Sequence, residues 1–321
     1  MRTRAARHRH GARPARAWWL ALLGALLALA ACRDATATGG VTPSGSAASG
    51  PVRVVAAENV WGSIAAQVGG ERVRVTSVIT NPSTDPHDYE PTAQDARAFA
   101  SAQYAIVNGA GYDAWAQQLL DANPNNARRE LDVGKLAGRK AGDNPHMWYS
   151  PTIIHQVADQ IATDLARLDV AGAASFDRQN SAFQTVALMP YHDLIASIQG
   201  EYAGTPVGAT ESIFADLATA SGLSLLTPPD LMKAIAEGED LTADDKATMS
   251  QQISQKQIKV LVFNEQNATS DVNGFVSAAR AAGIPVVAIT ETLAPSGASF
   301  QDWQVAQLRA LESALAQATS Q

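Results

Sequence analysis

Beyond the first fifty residues, short runs of β-branched and other apolar residues alternate with longer Ala-rich stretches. Residues 52–57 (VRVVAA), 73–79 (VRVTSVI), 104–108 (YAIVN) and 129–133 (RELDV) read as strands. The stretches around 61–69, 93–102, 113–122 and 151–168 read as helices. The pattern then repeats, with strands over 205–209, 223–227, 258–264 and 284–290 and helices around 212–221, 243–256, 271–282 and 302–317. Strand–helix alternation of this kind predicts parallel sheets covered by helices. The expected fold class is α/β, as two pseudo-symmetric lobes with parallel sheets of about four strands each. Between the lobes, 173–202 has helical composition and no glycine before Gly200. One long helix of ~28 residues, ~42 Å at 1.5 Å per residue, is predicted to join them. Pro190 should kink it. A rigid connector predicts small lobe movements rather than a wide hinge.

The N-terminus reads as an address. Residues 1–31 hold six arginines and no acid, and run into the apolar stretch 17–31 (AWWLALLGALLALAA). That stretch is shorter than the ~20 residues of a transmembrane helix. A basic region, a short apolar region and small residues at its end describe a signal peptide. It stops at Leu29-Ala30-Ala31-Cys32, which resembles the bacterial lipobox, and Cys32 is the chain's one cysteine. Residues 1–31 are therefore expected to be a lipoprotein signal peptide, and lipidated Cys32 the membrane anchor. Residues 32–51, rich in Gly, Ser, Ala and Thr, read as a flexible tether. The folded part divides in expectation into an N-terminal lobe over 52–172, the connector helix over 173–203 and a C-terminal lobe over 204–321.

Charge and cysteine count narrow the chemistry. Without residues 1–31 the chain keeps 18 basic against 31 acidic residues, a net of −13. That argues against a nucleic-acid partner and suits attraction of cations. One cysteine excludes an intramolecular disulfide and any zinc site built on several cysteines.

In open parallel sheets, ligands bind beyond the carboxyl ends of the strands. His87, in Asp85-Pro86-His87-Asp88-Tyr89-Glu90-Pro91, follows the second strand, and His146, in Asn144-Pro145-His146-Met147-Trp148, follows the fourth. Each comes after a proline, which fixes φ and pins the loop. The second lobe offers carboxylates at matching places: Glu211 after its first strand, Glu265 after its third and Glu291 after its fourth. His87, His146, Glu211 and Glu291 make an N₂O₂ set for a first-row divalent ion. With four protein ligands no position is left open for activated water, which favours binding over hydrolysis. Glu265 is the alternative carboxylate, and Asp85 could orient the second nitrogen of His87. His155 and His192 fall on helices and read as structural or surface residues. Trp61, Trp148 and Trp303 read as packing residues, and Glu237-Gly238-Glu239-Asp240 as a solvated loop.

These motifs resemble the metal-binding substrate-binding lipoproteins of bacterial ABC importers for zinc and manganese, the TroA-like group (cluster A-I, or cluster 9). The resemblance covers nearly the whole folded chain. It rests on Ala56-Ala57-Glu58-Asn59 with Trp61-Gly62, on Asp85-Pro86-His87 with Tyr89-Glu90-Pro91, on Asn108-Gly109 with Tyr112-Asp113, and on Asn144-Pro145-His146-Met147-Trp148. Thr210-Glu211 with Phe214 falls at the third ligand position, where zinc-type members often carry His and manganese-type members Glu. Glu291 stands where many members place an Asp. The loop after His87 lacks the His-rich insertion of many zinc-type relatives.

The resemblance implies a monomeric, non-enzymatic receptor, lipid-anchored on the extracytoplasmic face of the cell membrane. It would carry Zn²⁺ or Mn²⁺ as transported ligand to an ABC permease and its ATPase. Zn²⁺ outranks Mn²⁺ in intrinsic affinity for such ligands, so binding in vitro should favour zinc whichever ion is physiological; the reading leans to zinc. A secreted metallohydrolase is a second class, but no His-Glu-x-x-His is present. For a surface adhesin the residues encode no partner. A receptor for an iron chelate or cobalamin would need a wide aromatic or Arg-lined cleft.

Overall fold

A computed structural model describes residues 50–82, 84 and 89–320. The expected signal peptide, Cys32 and nearly all of the tether lie outside the described residues, as do Asp85 and His87. All described residues belong to one compact unit. Among them, no helix is long and apolar enough to cross a membrane.

The first half of the chain runs β1 (Val52–Glu58), α1 (Asn59–Gly69), β2 (Val73–Ile79), α2 (Ala93–Ser101), β3 (Tyr104–Val107), α3 (Ala114–Ala122), β4 (Arg129–Asp132), α4 (Val133–Ala137) and α5 (Pro151–Leu168). A helical connector follows, made of α6 (Ala173–Ala182), a π-helical segment (Phe183–Ala187) and α7 (Met189–Tyr202). The second half runs β5 (Pro206–Ala209), α8 (Ala215–Ala220), β6 (Ser224–Leu225), α9 (Pro229–Ala236), α10 (Ala243–Ser254), β7 (Val260–Asn264), α11 (Ser270–Ala281), β8 (Val286–Ile289) and α12 (Phe300–Thr319). Each half builds a four-stranded sheet, in the orders β2-β1-β3-β4 and β6-β5-β7-β8. Every strand pairing is parallel. The two orders are the same topology, which is the pseudo-symmetry read from the chain.

Both faces of the central strands are covered, as parallel sheets require. In β1, Val52, Val54 and Ala56 join the main core, while Val55 and Ala57 face a satellite cluster with Phe99 and Leu120. In β7, Val260 and Val262 face the main core and Leu261 the opposite side, with Phe275 and Ile253. The main core is continuous across both sheets. It contains Trp61 and Trp148 from one half, Phe300 and Trp303 from the other, and Phe176, Phe183, Tyr191 and Ile198 of the connector. A shared core of this kind resists independent movement of the halves.

The connector departs from a plain helix where proline dictates it. Pro190 has no N–H to donate to the carbonyl four residues back, and its ring crowds that turn. The chain widens just upstream, and the Leu188 N–H donates to the Phe183 carbonyl five residues back at 2.9 Å. Helix α7 restarts with Pro190 in its first turn, where the missing donor costs little.

Two short helices, α4 and α9, fall in stretches the periodicity did not mark. Asp132 caps α4 by accepting the Lys135 N–H at 2.9 Å, and Pro229 opens α9. Strand β6, expected over 223–227, keeps only two residues because it is an edge strand that Pro228 and Pro229 end.

Candidate metal centre

The carboxyl ends of the strands from both sheets converge. His146 sits in the turn before Met147–Tyr149, Glu211 two residues after β5, and Glu291 two after β8. All three side chains are fully buried, and one ligand atom of each lies within 4.8 Å of the others. His146 Nε2 is 3.4 Å from Glu211 Oε1 and 3.8 Å from Glu291 Oε2. Ligands ~2.0 Å from a tetrahedral Zn²⁺ stand roughly 3.3 Å apart, so the spacing suits one shared small cation. Two buried carboxylates this close need a counter-charge.

The tautomer of His146 follows from its neighbours. Asn144 Nδ2 donates to the Ser212 carbonyl at 2.9 Å, which turns Asn144 Oδ1 toward His146 Nδ1, also at 2.9 Å. That oxygen can only accept, so Nδ1 carries the proton and Nε2 presents a lone pair. The same Asn144 amide ties the His146 turn to the residue following Glu211, across the two sheets.

Glu291 is held from three sides. Tyr112 Oη donates to its Oε2 at 2.5 Å, and Asn264 Nδ2 donates to its Oε1 at 2.5 Å. Its backbone N–H donates to Gln266 Oε1 at 2.6 Å, and Thr292 N–H donates to the same oxygen at 3.0 Å. Gln266 Nε2 reaches the Thr84 carbonyl at 2.8 Å. Gln266 thus ties the loop of Glu291 to a residue three places before His87.

Tyr112 is placed by the turn after β3. Gly109 adopts φ 72, and a Cβ there would stand 2.1 Å from Asp132 Oδ1, so only glycine fits. The N–H groups of Asn108 and Gly109 then donate to Asp113 at 2.7 and 2.8 Å. Even so, burial pushes the Asp113 carboxyl up to about 6. Beside it, Glu58 at the end of β1 is fully buried. Burial above all, then the charges of Asp113 and Glu291, hold its carboxyl well above the ordinary range.

The other residues singled out from the chain stand apart. Glu265 is exposed, and its backbone N–H serves the sheet by donating to the Ile289 carbonyl at 2.9 Å. It is not part of the buried group. His155 and His192 meet on α5 and α7, Nε2 to Nε2 at 3.1 Å, outside the centre. Trp61, Trp148 and Trp303 are buried; Trp61 Nε1 donates to Asn108 Oδ1 at 3.1 Å and Trp303 Nε1 to Thr290 Oγ1 at 2.9 Å. Glu237, Glu239 and Asp240 are exposed. The orienting roles of Asn144, Asn264 and Gln266 were not legible beforehand. For Asn264 a signal existed: a polar residue closing an apolar strand at its carboxyl end.

A cavity of about 750 Å³ is lined by Tyr112, Asn144, Ser212, Leu223, Met232 and Lys233, among others. Two of these residues reach the buried group, Tyr112 by its hydrogen bond to Glu291 and Asn144 by its hydrogen bond to His146.

The family model for ZnuA, the periplasmic zinc-uptake complex component A, matches residues 54–314. The chain belongs to the ZnuA family. Among curated relatives of this ZnuA-family protein is the manganese-binding lipoprotein MntA of Halalkalibacterium halodurans, 26% identical over 136 residues, 41% of this chain and 45% of the relative. Another is the metal ABC transporter substrate-binding lipoprotein ScbA of Streptococcus cristatus, 26% identical over 178 residues, 50% of this chain and 54% of the relative. The chain spans about half the length of the curated relatives it matches. A Mn-bound variant of the periplasmic metal-binding protein from Candidatus Liberibacter asiaticus superposes with a TM-score of 0.69 at 17% identity, covering 82% of this chain and 99% of that one. That likeness concerns the fold.

Proposed function

We propose that this ZnuA-family protein is an extracytoplasmic solute-binding lipoprotein. It captures a divalent transition metal ion, Zn²⁺ or Mn²⁺, and delivers it to an ABC permease and its ATPase. The observation that carries the reading is the fully buried trio of His146, Glu211 and Glu291, contributed by both sheets and drawn within 4.8 Å. His87 is the fourth ligand in this reading, on the loop that Gln266 reaches at Thr84. The sequence division is part of the proposal: 52–172 and 204–321 act as the two jaws, 173–203 as the connector, and lipidated Cys32 as the anchor of a monomer.

Capture works through charge and exclusion of water. Glu211 and Glu291 neutralise the dication, and His146 supplies a neutral nitrogen whose lone pair is set by Asn144. Ligands this deeply buried cannot release an ion while the two sheets stay closed. Docking on the permease separates them slightly and frees it. With four ligands from protein, no open position remains for activated water, so the chain works as a carrier rather than an enzyme.

Thermal unfolding with added Zn²⁺ or Mn²⁺ tests this. An ion at a hundred times its dissociation constant stabilises the native state by about 2.7 kcal/mol. For a chain of this size that raises the midpoint by ~5 °C. No rise with either ion would refute the proposal.

A further inference from the structure

His155 and His192 belong to no part of the buried centre. His155 lies on α5 and His192 on α7, and both rings are half-buried. Their Nε2 atoms stand 3.1 Å apart. The ring planes are nearly parallel, at 8°, with centres 5.0 Å apart. Since the centres are farther apart than the two nitrogens, the rings turn their Nε2 corners toward each other.

The π-helical segment upstream of Pro190 carries Gln184 against α5. Such segments are frequent at functional sites. Gln184 Nε2 donates to Asp159 Oδ1 at 2.6 Å and to Asn180 Oδ1 at 2.9 Å, and Asn180 Nδ2 donates to the same Asp159 oxygen at 2.7 Å. A carboxylate only accepts, so the Gln184 amide cannot be turned round. Its Oε1 faces His155 Nδ1 at 2.8 Å and must accept. His155 therefore keeps its proton on Nδ1 and presents the Nε2 lone pair to α7. Asn144 sets the tautomer of His146 in the same way. With no ion bound, His192 Nε2 donates its hydrogen to that lone pair. Burial, then the neighbouring His155 ring, hold His192 below its ordinary value, so it is uncharged at neutral pH.

We propose that His155 and His192 form a second metal site, one that takes Cu²⁺. Two nitrogens 3.1 Å apart, each about 2.0 Å from one ion, subtend roughly 100° at it. They are then neighbours in the coordination shell, and water fills the remaining positions because neither ring is fully buried. A tetragonal shell of nitrogen and oxygen donors suits Cu²⁺, which heads the affinity order of the first-row divalent ions. Asp159, acting through Gln184, makes His155 Nε2 a stronger donor. Binding releases no proton overall: the His192 hydrogen passes from Nε2 to Nδ1 through water. The bound ion ties α5 of the first half to α7 of the connector. This site is independent of the transport reading, in which Zn²⁺ goes to the buried centre and its two carboxylates.

The test adds Cu²⁺ alone to the full chain after one equivalent of Zn²⁺, and compares His155→Gln, His192→Gln and Gln184→Ala. Electron paramagnetic resonance of the first copper equivalent should show two imidazole nitrogens in the parent and one or none in either histidine variant. Competition against a chelating dye should show copper affinity falling about 10- to 100-fold in Gln184→Ala, the range for groups that orient metal ligands. The same spectrum and affinity in the parent and both histidine variants overturns the proposal. Loss of the copper signal in Glu211→Ala also overturns it, by placing the ion in the buried centre. If the histidine variants fail to fold, imidazole NMR of the parent decides. Selective broadening of the His155 and His192 ring signals by Cu²⁺ supports the site, and unbroadened signals overturn it.

Discussion

Glu291 and Glu265 both follow strands of the second sheet, and the sequence offered either as the carboxylate that joins Glu211. The structure separates them, and truncation should do the same. Glu291 is fully buried, with Oε2 3.8 Å from His146 Nε2. Glu291→Ala removes one of two carboxylates that balance the dication and leaves the Tyr112 hydroxyl and the Asn264 amide without that acceptor. Removing one partner of a buried charged set costs about 3–5 kcal/mol. As a loss of binding energy that is about 10²- to 10⁴-fold in Kd. Glu265 is exposed, and its backbone hydrogen bond to Ile289 survives truncation. A surface change of this type stays within about 0.5 kcal/mol, roughly twofold in Kd. Competition titrations of Zn²⁺ against a chelating dye, at fixed pH and ionic strength, read both. Glu265→Ala losing as much affinity as Glu291→Ala, or Glu291→Ala keeping full affinity, would refute the assignment.

Tyr112→Phe deletes the 2.5 Å hydrogen bond to Glu291. Zn²⁺ affinity should fall about tenfold, matching ~1.5 kcal/mol for a bond to a charged group, and an unchanged titration contradicts it. Gln266→Ala removes the acceptor shared by Glu291 and Thr292 and the link to Thr84. Dissociation of Zn²⁺ into excess chelator, followed by stopped flow, should quicken about tenfold; an unchanged off-rate would separate Gln266 from ion retention. Glu58 keeps a proton in the native state that the unfolded chain gives up near 4.5. Its stabilising effect is therefore complete below that value and is lost as pH rises toward the elevated native value. Asp113 acts in the same direction between 3.8 and about 6. Calorimetry of metal-free Glu58→Gln should show a larger gain in melting temperature at pH ~8 than at pH ~5, and equal gains would count against a protonated Glu58.

The central strands were legible because each is a short apolar run buried on both faces, as Val52–Glu58 and Val260–Asn264 are, whereas the edge strand Val73–Ile79 shows only a β-branched alternation of half-buried and exposed residues. The helix breaks were less so. Pro190 announced a kink, but the π-helical segment at Phe183–Ala187 depends on how the chain re-pairs upstream, which periodicity does not encode. The meeting of His146, Glu211 and Glu291 could be expected because residues after parallel strands collect at the carboxyl edge of each sheet. Asn144, Asn264 and Gln266 could not be given their roles, since an amide's role depends on what the opposite strand or lobe presents to it. Glu265 stands apart from the buried group for the complementary reason. It occupies the right place along the chain, directly after β7, but the strand's alternation sends Asn264 inward and leaves Glu265 outside.

The central claim is that one divalent ion is held between the two sheets by four protein ligands. A crystal structure of the Zn²⁺-loaded protein, with anomalous data collected at the zinc edge, tests it most directly. The account predicts a single strong peak within bonding distance of His87, His146 Nε2, Glu211 Oε1 and Glu291 Oε2. A peak elsewhere, or an ion held by three protein ligands and a water, would contradict it.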